Sequence, residues 1–149
     1  MSRIIADLRD LTHQIEQITE EIAQAYHIDQ LAGPQGHVLV FLERNQDREI
    51  FVKDIEKTLN ISKSVSSNLV KRMEKNGFIE VVPSIADKRF KQVVLTEVGK
   101  EKIPLLHECR KAIENYFFKE ISKDDFMTVK HVIDQLKLNI SEYKGEKNA

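Results

Sequence analysis

The chain has 149 residues, of which 41% are hydrophobic and 32% charged, so it is the size of one domain with a real core and has the composition of a helical globular protein. A net charge of -1 excludes a generic polycation that coats nucleic acid, and the longest apolar run, Val38 to Leu42, is far too short to cross a bilayer. A single cysteine, Cys109, excludes an intramolecular disulfide framework and fits a reducing cytoplasm, and an N-terminus that alternates charged with apolar residues does not read as a signal peptide.

Ile4, Leu8, Leu11, Ile15, Ile18, Ile22 and Ala25 alternate spacings of four and three, which predicts one long helix with a narrow apolar seam. Such a seam needs a partner, met partly within the chain and partly by a second copy. Gly33-Pro34 breaks the pattern and starts a new helix, in which Val38, Leu39, Phe41 and Leu42 form a compact apolar element. Glu43 to Glu49 reads as a charged loop, and Ile50-Phe51 as a short strand added to a later sheet. Lys53 to Leu59 reads as a helix with Ile55 and Leu59 inward; Val52 offers no capping side chain, although Asp54 suits the helix dipole. Asn60 then serves a turn, because its amide tolerates a left-handed backbone.

The most informative stretch runs from Ile61 to Thr96. Ser62 is placed to cap a helix and Gly77 to end it, while Ser66, Leu69, Val70 and Met73 recur at helical spacing as its buried face. The opposite face carries Lys63, Ser64, Ser67, Asn68, Lys71, Arg72 and Lys75. Cations beside short donors and acceptors are what a duplex asks for, since phosphates need positive charge and base edges need small groups that enter the major groove. The bland alternative is a solvated helix face. Phe78 to Val82 and Gln92 to Leu95 are β-branched and apolar runs around a polar tip, Ser84 to Lys91, and predict a small antiparallel hairpin. Its tip holds Asp87, Lys88, Arg89 and Lys91. An arginine on a projecting ribbon can enter a narrow minor groove, and the nearby aspartate can fix its rotamer. From Asn60 to Leu95 the chain has seven basic and three acidic residues, a local charge of +4 that leaves -5 on the remainder. This asymmetry orients a basic patch toward phosphate on an otherwise acidic body.

Thr96 caps the next helix, which Pro104 should kink or divide in two because it removes a backbone bond. Leu106, Cys109, Ile113 and Phe117 then recur at core spacing. Ser122 with Asp125 resembles a weakened capping box ahead of a second apolar seam at Phe126, Val129, Ile133, Leu136 and Ile140, and the polar tail from Glu142 is expected to fray. The expected fold is therefore mainly α: a winged helix-turn-helix with a small antiparallel β-wing over 33–96, and long N- and C-terminal dimerisation helices over 1–32 and 97–141 of a single 149-residue domain.

The run from Ile61 to Ile79, then Asp87-Lys88-Arg89, then Leu95-Thr96 with Gly99, resembles the MarR family of bacterial transcription regulators. The Asp-x-Arg wing followed by Leu-Thr-x-x-Gly is its more specific part. One departure is Ser66, where the family usually places a small apolar residue, which predicts a looser contact with the supporting helix. The resemblance implies a homodimer, operator binding to double-stranded DNA and, often, release by a small ligand. Interdigitated terminal helices would set two reading helices near the roughly 34 Å that successive major-groove half-sites require, hence a pseudo-palindromic operator, most simply for repression. Lys63, Ser64, Ser67 and Asn68 would face bases or nearby phosphates, Lys71, Arg72 and Lys75 would hold the backbone, and Arg89 would enter the minor groove beside Lys88 and Lys91. An aromatic or amphipathic effector would sit near His13, Tyr26, Phe41 and His107, a placement that follows from the family architecture alone. Competing readings are an activator, or a module that uses the winged helix to bind protein.

Other chemistry has little support. The histidines His13, His27, His37, His107 and His131 show no metal-binding spacing, so no metal site and no cofactor are expected; for His27, His37, His107 and Cys109 to sense a metal they would have to converge between helices. Cys109, on an apolar stripe, reads as a small buried hydrophobe rather than a redox sensor, and the peroxide-sensing members of the family carry their cysteine in the first helix, where this chain has none. No phosphate loop, nucleophile elbow or paired-carboxylate constellation occurs, so no enzymatic activity is expected.

Overall fold

A computed structural model describes residues 3–148, which fall into two compact units divided between Ile113 and Glu114. The first unit runs α1 (Ile4–Ala25), a 3-10 turn (Asp29–Leu31), α2 (Pro34–Arg44), α3 (Val52–Leu59), α4 (Lys63–Lys75), β1 (Ile79–Pro83), β2 (Lys91–Leu95) and most of α5 (Glu97–Phe117). The second holds the end of α5 and α6 (Lys123–Asn148).

One core joins the elements of the first unit. Val38, Leu39 and Leu42 of α2 meet Ile55 of α3, Leu69, Val70 and Met73 of α4, and Ile79 and Val93 of the hairpin. From α5 come Ile103 and Cys109, and from the end of α1 only Ala23, with Ile22 and Tyr26 packed around it. Each fully buried Leu, Ile or Met contributes about 1.5–3 kcal/mol through removal of its apolar surface from water. Ser66 is fully buried among them, and its hydroxyl donates to the Lys63 carbonyl at 2.9 Å, so the predicted departure from an apolar residue leaves no orphaned polar group.

Three helices of this unit stop by the same device. α1 ends with His27 in the left-handed region at φ 59°, α3 with Asn60 at φ 54° and α4 with Gly77 at φ 83°. In each case the following amide reaches back to close the last turn: Ile28 N–H to Ala23 O at 2.9 Å, Ile61 N–H to Glu56 O at 3.1 Å, and Phe78 N–H to Met73 O at 3.0 Å. Asn60 and Gly77 suit that backbone intrinsically; His27 adopts it under the pull of Ile28, which is 2% exposed.

β1 and β2 form a two-stranded antiparallel sheet in the register Ile79 opposite Leu95 through Pro83 opposite Lys91. The first strand is shifted by one residue from the expected Phe78 to Val82 and the second starts one residue before the expected Gln92, because Pro83 and Lys91 still pair. The short third strand expected at Ile50-Phe51 does not form: Ile50 contributes one backbone bond, accepting from Val93 N–H at 2.7 Å, and Phe51 immediately becomes the cap of α3. The cap works in reverse, with Phe51 N–H donating to the Asp54 carboxylate at 2.9 Å.

Two further expectations are corrected. Pro104 does not divide α5, which runs unbroken from Glu97 to Phe117. Pro104 and Lys100, the residue whose carbonyl loses its partner, both face solvent, where water can take up the freed group, while Ile103 holds the helix to the core. The tail from Glu142 does not fray among the described residues: α6 continues to Asn148, on a run rich in Lys and Glu that favours helix. α6 begins as expected at Ser122, whose hydroxyl accepts Asp125 N–H at 3.1 Å, and Phe118 packs edge-on against Phe126 with ring centres 4.9 Å apart.

The apolar seams of α1 and α6 are largely exposed in the single chain. Ile4, Leu8, Leu11 and Ile15 on α1 are 37–53% exposed, and α6 has no buried residue.

Gly99 explains the Leu-Thr-x-x-Gly pattern in steric terms: a Cβ there would collide with the backbone carbonyl of Phe78, where the first turn of α5 crosses the chain entering β1. Gly99→Ala should therefore lower stability by about 1–3 kcal/mol in urea unfolding, whereas Gly145→Ala, with nothing within 4 Å, should not.

Candidate nucleic-acid interface

α4 is held by its buried face and its caps, which leaves the opposite face bare. Ser62 Oγ accepts Val65 N–H at 3.2 Å and lies 3.3 Å from Ser64 Oγ, so the small hydroxyls cluster at the N-terminal end of the helix. Lys63, Ser64, Asn68, Lys71, Arg72 and Lys75 are exposed, and Ser67 is half-buried. Among the described residues, none of the four cations of this face forms an ion pair. A row of unneutralised cations on a rigid helix is a surface prepared for an external polyanion. Val65 is 49% exposed on the same helix, which its sequence does not signal, because an apolar residue beside the buried stripe reads as part of it.

The wing tip is more tightly organised than its sequence suggests. Arg89 lies against Asp87 in a forked contact, Nη2 to Oδ2 at 2.7 Å and Nε to Oδ1 at 3.0 Å, and the Arg89 amide also donates to Asp87 Oδ1 at 3.1 Å. The guanidinium nonetheless remains 85% exposed, so it is aimed without being covered. Asp87 N–H in turn donates to Ser84 Oγ at 3.1 Å, Ser84 is 3% exposed, and its hydroxyl donates to Glu49 Oε2 at 2.7 Å. Glu49 Oε1 accepts the Ile85 amide at 2.5 Å. Glu49 stands 35 residues before Ser84 in the chain, and no local pattern marks that partnership. Lys88 and Lys91 flank the tip without ion pairs among the described residues.

These contacts set the titration of the tip. The Ser84 hydroxyl and the Ile85 amide hold the Glu49 carboxyl below its ordinary value, and Arg89 does the same to Asp87, which reciprocally raises the guanidinium. Burial pushes the Cys109 thiol up, which suppresses the thiolate and fits the small-hydrophobe reading.

The residues suggested for an effector site occupy separate settings. His13 lines a shallow cleft on α1 with Ile5, Leu8 and Glu16; Tyr26 packs half-buried against the core; Phe41 lies under the Arg48 guanidinium, 5.8 Å from its ring centre; and His107 Nε2 is 3.1 Å from Glu43 Oε1. His37 lines a different cleft, of about 560 Å³, with Ile15, Glu16, Glu20, Asp29 and Pro34. His27 is occupied in ending α1, and His131 is exposed on α6. Among the described residues, no three His, Cys, Asp or Glu side chains are grouped to hold a metal ion, and no helix is long and apolar enough to cross a membrane.

A family model described as MarR family matches residues 29–89. The uncharacterized HTH-type transcriptional regulator YybA of Bacillus subtilis is 21% identical over 135 residues, which cover 89% of this chain and 90% of that protein. The crystal structure of the heme sensor protein PefR from Streptococcus agalactiae in complex with heme is 42% identical, spans 93% of this chain and 95% of its own, and superposes with a TM-score of 0.73. The S. aureus MepR–DNA complex, 20% identical, shares the fold with a TM-score of 0.79 over 92% of this chain and 97% of its own.

Both lowered carboxyls favour the folded tip only while ionised. Their contribution is complete above the ordinary values of 4.5 for Glu49 and 3.8 for Asp87, and is lost as pH falls through the lowered ones. Carboxyl-detected NMR titration should give midpoints below those values for both residues, and Arg89→Ala should return Asp87 toward 3.8.

Proposed function

The chain belongs to the MarR family of transcription regulators, and on that premise we propose that it acts in the cytoplasm as a homodimer that binds a two-fold-symmetric duplex and represses the adjoining gene. The observation that carries this reading is the combination of an unpaired basic face on α4 with a separately fixed, exposed arginine on the wing. In a duplex complex α4 lies in the major groove, where Ser64, Ser67 and Asn68 reach base edges and Lys63 reaches a base or nearby phosphate. Lys71, Arg72 and Lys75 neutralise the backbone, and Arg89 enters the flanking minor groove between the phosphate contacts of Lys88 and Lys91. MepR, solved in complex with DNA, shares this fold, which supports DNA binding. The exposed seams of α1 and α6 supply apolar surface for a second copy, which sets the spacing of the two reading helices. Nothing in the relatives or in the chemistry of the clefts supports an enzymatic role.

An aromatic or amphipathic effector is the natural regulator of such a dimer, and haem, which PefR senses, is the first to test. The cleft at His37 offers one imidazole and apolar walls from Ile15, Ala32 and Pro34, but Glu16, Glu20 and Asp29 line it too and would repel haem propionates. That lining does not fit haem, and the haem reading rests on the likeness to PefR alone.

Arg89→Ala should weaken binding to a duplex selected by the wild-type protein by about 1–3 kcal/mol, and Lys71→Ala should weaken it nearly uniformly across sequences and lower the slope of log affinity against log salt by about one. Fluorescence anisotropy titration measures both; unchanged affinity in Arg89→Ala removes the wing from the reading. Haem added to the purified protein tests the likeness to PefR: a shifted Soret band with release of the duplex would assign haem as the effector, and an unshifted band excludes it.

A further inference from the structure

Glu49 belongs to neither DNA-facing element. It sits in the loop between α2 and α3, half-exposed, yet both its carboxylate oxygens are spent on the wing: Oε2 accepts the Ser84 hydroxyl at 2.7 Å and Oε1 accepts the Ile85 amide at 2.5 Å. The chain of bonds continues without a gap. Ser84 Oγ, having given its proton to Glu49, accepts Asp87 N–H at 3.1 Å, and Asp87 grips the Arg89 guanidinium through Nη2 at 2.7 Å and Nε at 3.0 Å. Ser84 is 3% exposed, so the middle of the chain is shielded from water, which would otherwise compete for each bond.

Placing a carboxylate on a wing that must approach phosphates has an electrostatic cost, because the like charges repel. Neither strand pairing nor the core requires it: β1 and β2 pair from Ile79 to Pro83 without Glu49, and the hydrophobic cluster lies beneath them. Without an outside anchor, Ser84 to Phe90 is a seven-residue tip held only by bonds within itself: Ser84 N–H to Phe90 O at 2.8 Å, Phe90 N–H to Asp87 O at 3.0 Å, Asp87 N–H to Ser84 Oγ at 3.1 Å and the contacts between Asp87 and Arg89. Such a tip can swing as a unit and carry the guanidinium with it, which leaves its direction relative to α4 to be fixed on binding, at an entropic cost.

We infer that Glu49 is a positioning residue for minor-groove reading: through Ser84 and Asp87 it fixes the direction of Arg89 before DNA arrives, and so couples the α2–α3 loop to the affinity of the wing. The inference rests on the DNA-binding reading given above, and deepens it by naming a residue that touches no DNA. It also makes the loop a place from which wing affinity can be altered without disturbing α4.

The test is a double-mutant cycle on a duplex selected by the wild-type protein, with an independent readout in the free protein. Glu49→Ala should weaken binding about threefold or more in the wild-type background and have no effect in the Arg89→Ala background, because coupled neighbours are not additive. Glu49→Gln, which keeps one acceptor oxygen, should restore part of the loss. In the free protein the Arg89 Nε–H should exchange slowly with solvent and become fast in Glu49→Ala, with the urea midpoint nearly unchanged. Equal losses in both backgrounds would assign Glu49 to the fold or to direct contact and overturn the inference. So would tighter binding in Glu49→Ala, the result expected from repulsion alone, or an Nε–H exchange rate that ignores Glu49. If Arg89→Ala itself fails to weaken binding while the exchange result holds, the DNA reading of the wing falls and the relay stands as geometry.

Discussion

The hydroxyl of Thr96 is the smallest group on which the largest part of this molecule depends. It donates to the Gly77 carbonyl at 2.5 Å and accepts Gly99 N–H at 3.0 Å, so one oxygen closes the end of α4, the base of the wing and the start of α5 together. Gly77 must take a left-handed backbone to bring its carbonyl there, and Gly99 must lack a Cβ because the Phe78 carbonyl occupies that space. Phe78, 4% exposed, is the plug beneath the junction. With this corner fixed, the direction of the wing relative to α4 follows, and a helix and a ribbon can address two adjacent grooves of one duplex.

The rest of the first unit divides the labour between burial and exposure. α4 gives Leu69, Val70 and Met73 to the core and receives in return a fixed axis, while its other face is left with cations that nothing within the described chain neutralises. The wing solves the opposite problem. It has little core of its own, so its exposed tip is organised by polar bonds that run back to the loop before α3. Hydrophobic packing thus fixes α4 and a hydrogen-bonded relay holds the wing tip, which is why acid and salt are expected to loosen the second before the first.

Much of this was legible in the sequence where a local rule governs. Ser62, Asn60 and Gly77 act within a few residues of themselves, as does the capping bond from Gly99 to Thr96, and the buried spacing of Ser66, Leu69, Val70 and Met73 names its own face; the bond from Thr96 to Gly77, 19 residues away, follows no such rule. The failures lie where a distant or a solvent-side factor decides. Ile50-Phe51 has the composition of a strand, but the capping bond from Phe51 to Asp54 takes the backbone into α3 after a single bond to Val93. Pro104 reads as a break, and only the exposure of its side of α5 shows why the helix tolerates it. Glu49 carried no signal at all, since a contact spanning 35 residues leaves no trace in one sequence. The residues named for an effector follow from the family's architecture, and no local pattern in the sequence shows their partners, such as Glu43 for His107.

The most direct test of the central claim, that helix and wing together read a two-fold-symmetric duplex, is selection of bound sequences from a random pool of duplex DNA by the purified 149-residue protein, followed by salt titration of the enriched sequence. The expected result is a pseudo-palindromic motif with its half-sites about one helical turn apart, flanked by A·T-rich steps where the wing arginine enters, and bound more weakly as salt rises. Absence of any enriched motif, or an asymmetric one bound with little dependence on salt, would contradict it.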